Sequence, residues 1–431
     1  MISSSNPSVP DVQGGTLASH RVDRPSEVLS RVAETEPEAP PATTKKPTLL
    51  RDLGTVLLIF LAWRGMLFGA DYVGRSLSVP LTQELHYHAS RFWDGYIRHD
   101  SLHYARVIRE GYLYETQGPW RGLSTNAAFF PLYPYTVKAI TKTRIPGVGR
   151  LFRSIWPAGL VLSNVCLVLS LVYMLRIARL YLDEEAAHRS LVYLLTFPTS
   201  FFFSTFYTES LFLLTTTASF YHFLNGKHLR SGCWGLLACT CRSPGIVLMP
   251  AFVLGHLWSR RFRISRSDLS LLWLGLIPCG LAIVMGIMYT KLGDPFAFSK
   301  AQVAWGRSFT MPYRTLWNAI TQIHWSLPYG NFGNTFWACD VVMSLVFLAL
   351  PFFLLRGFHK ALPIYSLLLI LMPLTTGITA GMSRYAVVAF PAFFVLARFG
   401  EKRAVDRWIV FSSSLLLCLL KIAFSNGFMV I

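Results

Sequence analysis

The chain has 431 residues, of which 53% are hydrophobic and only 14% charged, against roughly a quarter charged in soluble domains. Apolar runs near 20 residues recur, with 32 Phe and 12 Trp, which excludes an ordinary soluble protein and indicates a polytopic α-helical membrane protein. The alternating ten-residue segments of a transmembrane β-barrel are absent from the sequence. The net charge is +18, yet residues 1–52 hold six Lys/Arg and seven Asp/Glu, so the basic excess lies among the apolar runs. That pattern marks cytoplasmic loops or contacts with anionic headgroups. A nucleic-acid binder would need a basic soluble domain, and the sequence offers none.

Residues 1–50 are rich in Ser, Pro, Thr, Glu and Ala ("AETEPEAPPATTKKP") and read as a disordered tail without a signal peptide's apolar region. Lys45, Lys46 and Arg51 precede the first apolar run, which places the N-terminus in the cytoplasm. Eleven spans follow: about 53–75, 157–177, 189–206, 208–225, 229–241, 244–258, 269–290, 333–355, 361–377, 383–399 and 408–428. A long external loop over 76–155 and a second over 291–332 interrupt them. The loops assigned to the cytoplasm contain "RIARLYLDEEAAHR", "NGKHLR", "SRRFRISRSD", "LRGFHK" and "EKRAVDR". Each is basic or mixed, so an odd number of spans fits the charge rule. Residues 51–431 form one membrane domain on this reading.

That topology gathers Asp94, Asp100, Glu115, Glu209, Arg242, Asp294, Arg307 and Arg384 on the external side. Single charges at span ends can snorkel to the interface. Several charges on one face point instead to a substrate path. The seven Cys sit in or near apolar segments and read as packing residues, and "CTC" (Cys239, Cys241) lacks zinc-site spacing.

The most polar part of the first loop is "RHDSLHYARVIREGYLYE", Arg98 to Glu115. Asp100, His103, Tyr104, Val107, Ile108 and Gly111 share one face of a short interfacial helix. Asp100 is either that helix's N-cap or a general base whose proton affinity is raised by apolar surroundings. Downstream, "NAAFFPLYPYTVKAI" (Asn126 to Ile140) is aromatic and bears Pro131 and Pro134, which exclude a clean helix start before 134. The segment is either interfacial packing or the wall of a lipid groove. Arg242, Arg307 and Arg384 either pair with Glu209 or Asp294 and headgroups, or donate paired hydrogen bonds to a phosphate.

"HDSLHYARVIREGYLYE" followed by "AAFFPLYP" resembles the signature of the PIG-V (GPI mannosyltransferase II) family. "FPTSFFFSTFYTESLFL" (Phe197 to Leu213) resembles its Tyr-Ser-Glu-Ser motif through Tyr207, Glu209 and Ser210, and "CRSPGIVL" (Cys241 to Leu248) its Arg-Ser-Asn-Gly motif. "GDPFAFSKAQVAWGR" (Gly293 to Arg307) and "MSRYAVVAFPAF" (Met382 to Phe393) look like the bacterial branch. His99 stands where the family has Trp, and Thr208 and Pro244 replace its Ser and Asn. The resemblance spans about 53–400 and implies an all-α, GT-C-like bundle of about 11 transmembrane helices. It implies a mannosyltransferase, working on the external face with inversion and a polyprenyl- or dolichyl-phosphate sugar as donor. The acceptor would be a lipid- or glycan-linked hydroxyl, in the plasma membrane of a prokaryote or the endoplasmic reticulum of a eukaryote. Asp100 would be catalytic, with His103, Tyr104, Glu209, Arg242, Arg307 and Arg384 on the substrate and its phosphate. No cofactor or metal is required on this reading. A lipid or solute transporter and a non-catalytic subunit of a glycosylation complex are the alternatives.

Overall fold

The computed structural model describes residues 49–77, 95–114, 125–143, 151–322, 332–428 and 430. The tail assigned to 1–50 lies outside these residues except for Leu49 and Leu50, and so do Asp94 and Glu115. The described chain is helical, with one isolated antiparallel bridge between Tyr114 and Thr125.

The first long helix, α1, runs Leu49–Leu77. Two short helices, α2 (Asp100–Arg109) and α3 (Leu132–Lys142), belong to the first loop. Pro134 falls in the first turn of α3, so the expected start at 134 moves two residues earlier. The first-turn amides of a helix have no intrahelical partner, and proline loses nothing there. Then come α4 (Ile155–Ala178), α5 (Glu184–Thr196), α6 (Glu209–Leu224), α7 (His228–Cys241), α8 (Leu248–Ser259) and α9 (Leu276–Leu292). The second loop carries α10 (Ala297–Lys300) and α11 (Pro312–Gln322). The chain closes with α12 (Phe332–Phe353), α13 (Ala361–Leu374), α14 (Met382–Val388), α15 (Pro391–Phe399) and α16 (Arg403–Ser425).

Local chemistry sets these boundaries. Asp183 caps α5 by accepting from the Ala186 amide at 2.7 Å. Gly293, at φ 74, ends α9 in the left-handed conformation that glycine adopts without a Cβ clash. Among the described residues, four helical stretches are long and apolar enough to cross a membrane: Leu49–Ser76, Ile155–Ala178, Asp268–Leu292 and Arg403–Ser425. Two expected spans are broken. The span at 383–399 becomes α14 and α15, bent by 80° at the break before Pro391, which has no amide to donate. The span at 189–206 stops at Thr196, before Pro198, and resumes as a 3-10 turn over Ser200–Ser204. A 13-residue α5 is about 20 Å long, short of the ~30 Å hydrocarbon core.

Helix α6 is the centre of the bundle. Nearly all of it is buried, with α4 on one side and α7 on another. Its Thr215, Thr216 and Thr217 hydroxyls donate to carbonyls one turn back, so these three hydroxyls are met inside a helix buried on nearly every side. Helices α1 and α16 pack together, as do α8 and α13, α5 and α15, and α7 and α9. The N-terminus of α6, the C-terminus of α7 and the broken α14–α15 pair meet at one end of the bundle. At the other end Asp52 is buried between Arg179 (2.6 Å) and Arg176 (3.2 Å).

Candidate active site

Four charged side chains from distant segments join at the first of these ends. Arg384, in the first turn of α14, donates from Nη1 to Asp100 Oδ2 at 2.7 Å. Its Nε and Nη2 reach Glu209 Oε1 at 2.9 and 2.6 Å. Arg242, just after α7, donates to the same Glu209 oxygen at 2.7 Å. Glu209 is fully buried and anchors both guanidinium groups. The Arg384 guanidinium also lies over the rings of Tyr207 (4.7 Å) and Phe202 (4.9 Å), an arrangement that suits a weakly hydrated planar cation.

Asp100 opens α2, but its carboxylate is not a cap. The residue preceding the helix is His99, which makes no side-chain capping bond. The expectation of a raised proton affinity at Asp100 is also corrected. Burial raises it, but the charge and hydrogen bond of Arg384 outweigh burial and hold the carboxyl below its ordinary value. Burial pushes His99 and His103 below the ordinary histidine value, so both are neutral near pH 7. His99 has φ 47 and ψ −113, an unusual backbone for a residue with a Cβ.

A cavity of about 330 Å³ opens beside this cluster, within the range of small-ligand sites. Asp100, Tyr104, Arg242, Arg307 and Arg384 all line it. Arg307 is held by Gln302 Oε1 (3.2 Å) and the Ala380 carbonyl (3.5 Å). The Tyr104 hydroxyl lies 3.1 Å from Thr208 Oγ1. Glu209 lies behind the arginines and is not part of the lining. His103 stands behind the wall, stacked on the lining residue Phe129 with centroids 4.7 Å apart. Asp294 pairs with Lys300 at 2.6 Å rather than with an arginine of the cluster. The "AAFF" run supplies Ala128, Phe129 and Phe130 to the cavity wall, with Trp305 and Gln302 from the second loop.

Some participants escaped the sequence reading. Asp340, buried in α12, accepts from the Gly381 and Ser383 amides at 2.9 Å each and so caps the helix that carries Arg384. Asp71 and Lys421 form a separate buried pair at 2.8 Å. The available signal was an ionisable residue inside an apolar span, as in "ACDVV" and "LLKIA".

A bundle with membrane-length apolar helices thus brings a carboxylate and three guanidinium groups to one cavity. The model of the family described as Mannosyltransferase (PIG-V) matches residues 54–268, half of the chain. The chain belongs to that family. No curated protein matches it in sequence. Among solved structures, it is similar to the Archaeoglobus fulgidus oligosaccharyltransferase in the apo form, at 11% identity and TM-score 0.45, covering 85% of this chain and 56% of that one. It is similar to AglB of the same organism, in complex with an inhibitory peptide and a dolichol-phosphate, at 11% identity and TM-score 0.40 over 84% and 55%. It is also similar to ArnT from Cupriavidus metallidurans bound to undecaprenyl phosphate, at 14% identity and TM-score 0.31 over 80% and 78%. The chain spans about half the length of the oligosaccharyltransferase chains.

Proposed function

We propose that the protein transfers a mannosyl group from a polyprenyl-phosphate sugar to a hydroxyl of a lipid- or glycan-linked acceptor. The bundle is read as GT-C-like, with the cavity at the external face of the membrane. One observation carries the reading: Asp100 is fixed at the wall of a cavity that Arg242 and Arg307 also line.

Charge supports it. Asp100 and Glu209 balance Arg242 and Arg384, and His99 is neutral. Arg307 then leaves the cavity wall with one net positive charge. A phosphodiester donor carries one negative charge and would neutralise it. As the bond from the sugar's anomeric carbon to the phosphate oxygen breaks, its electron pair goes to the phosphate, which becomes a dianion. Preformed guanidinium donors stabilise that growing charge more than the starting one. The acceptor oxygen attacks the opposite face of the anomeric carbon, and its proton passes to Asp100. The arginines supply the electrostatic role that a metal would otherwise fill, so the reaction is proposed to need no cofactor. Family membership favours an enzyme over a transporter or a non-catalytic subunit.

Asp100→Asn keeps the shape and one acceptor oxygen but removes the base. The expected result is a loss of about 10²–10⁴-fold in mannosyl transfer from polyprenyl-phosphate mannose, the usual contribution of a general base, with unchanged detergent-extracted yield. Full activity of the Asn variant would sink the assignment.

A further inference from the structure

A second ionic cluster lies buried between α1 and α16, and the proposed reaction does not use it. Lys421 Nζ donates to Asp71 Oδ1 at 2.8 Å, to Ser425 Oγ at 2.6 Å and to the Gly95 carbonyl at 2.8 Å. The Lys421 side chain is fully buried and that of Asp71 is 6% exposed. Such a pair is a poor source of stability, because taking both charges out of water costs about as much as their attraction returns. Ionisable groups inside membrane helices generally serve function. What this pair holds therefore matters more than what it stabilises.

It holds the five residues that lead into Asp100. Gly95 lies so close to the cluster that a Cβ there would fall 1.9 Å from Arg75 Nη2 and 2.4 Å from Asp71 Oδ1. Arg98 Nη2 donates to the Ser425 carbonyl at 3.0 Å. His99 Nε2 lies 3.2 Å from the Phe428 carbonyl. The segment Gly95–His99 is thus tied at three points to Lys421 and the end of α16. Its last residue is the one at φ 47, a strained conformation that persists only where surroundings impose it. Asp100 follows directly.

We propose that Asp71 and Lys421 are positioning residues: they brace the segment Gly95–His99 against α16 and so set the place of the Asp100 carboxylate. Neither lines the cavity, and neither touches the reacting groups. This rests on the reading of Asp100 as the base.

The test is the double variant Asp71→Asn/Lys421→Met in the full chain, reconstituted in proteoliposomes. Removing both charges leaves no buried partner of this pair charged, and Arg75, which also meets Asp71 at 3.0 Å, is 21% exposed and reaches water, so thermal stability stays near that of the wild type. With polyprenyl-phosphate mannose as the probe, the donor's KM is expected to hold while kcat falls by about 100-fold, the scale of a 1 Å misplacement. Amide hydrogen exchange over 95–102 is expected to quicken. A stable double variant with wild-type kcat overturns the brace, as does unchanged exchange over 95–102. Should the double variant not fold, Ser425→Ala, which removes one shared hydroxyl, is expected to move kcat and exchange in the same directions; no movement in either overturns the brace. If the wild type transfers no mannose, the transfer reading fails, and the exchange comparison still decides the brace.

Discussion

At the scale of single residues, the site is a balance of buried and cavity-facing charges in which Arg384 touches both carboxylates. Asp100 accepts protons only as a carboxylate, and Arg384 keeps it one. The sign follows directly. A carboxyl held below its ordinary value is ionised at any pH above that lowered value, so the base function proposed for it is lost only as pH falls through it. The acid limb of kcat/KM that belongs to Asp100 is therefore expected below the ordinary carboxylate range near 3.9. In Arg384→Met the burial remains and the cation is gone, so the same limb moves upward. A pH–rate comparison of wild type and variant checks this, and an acid limb that stays in place contradicts the pairing. Asp100 itself was legible, because a carboxylate beside apolar aromatics in a polar loop segment stands out. Its lowered affinity was not, because the responsible cation is 284 residues away in sequence.

At the scale of elements, helix ends place the charged groups. Glu209 opens α6, Arg242 follows α7, and Arg384 sits one turn into a helix that begins at the left-handed Gly381. Apolar runs located these ends to within a few residues, and loop charge brought them to one face. The breaks were harder to read, since Pro198 and Pro391 lie in stretches apolar enough to pass as continuous spans. The Asp340 cap was not read at all, because it joins α12 to α14 through space and leaves no local pattern. Its consequence can be measured. Asp340→Ala removes two hydrogen bonds from the first turn of α14, at a cost of roughly 0.5–2 kcal/mol in stability. Because that turn carries Arg384, transfer activity is expected to fall by more than the melting temperature suggests. Asp340→Asn keeps an acceptor and is expected to recover part of the activity. Equal, mild losses of stability alone in both variants would reduce Asp340 to an ordinary cap.

At the scale of the whole molecule, the bundle has two chemically different ends. The cavity end carries Asp100, Glu209, Arg242 and Arg384. Beside it, the strand-like stretch around Phe309 is pinned by Ser308 to the Thr376 carbonyl (3.0 Å) and by Thr310 to the Thr375 carbonyl (2.9 Å). Helix α8 runs away from this end, since Ser243 just before it lines the cavity. It delivers the chain to an arginine-rich loop with Arg260, Arg261, Arg263 and Arg266. Arginines in short loops favour the cytoplasmic side, and the proposal of an external cavity rests on that rule. Phe309 and Ile264 are 81% and 79% exposed, so each can be replaced by Cys with little effect on packing. With the exposed Cys233, Cys279 and Cys339 changed to Ser, an impermeant maleimide applied to intact cells is expected to label Phe309→Cys and spare Ile264→Cys. Inside-out vesicles are expected to reverse that pattern. Labelling of both positions from one side would break the parity on which the external cavity rests.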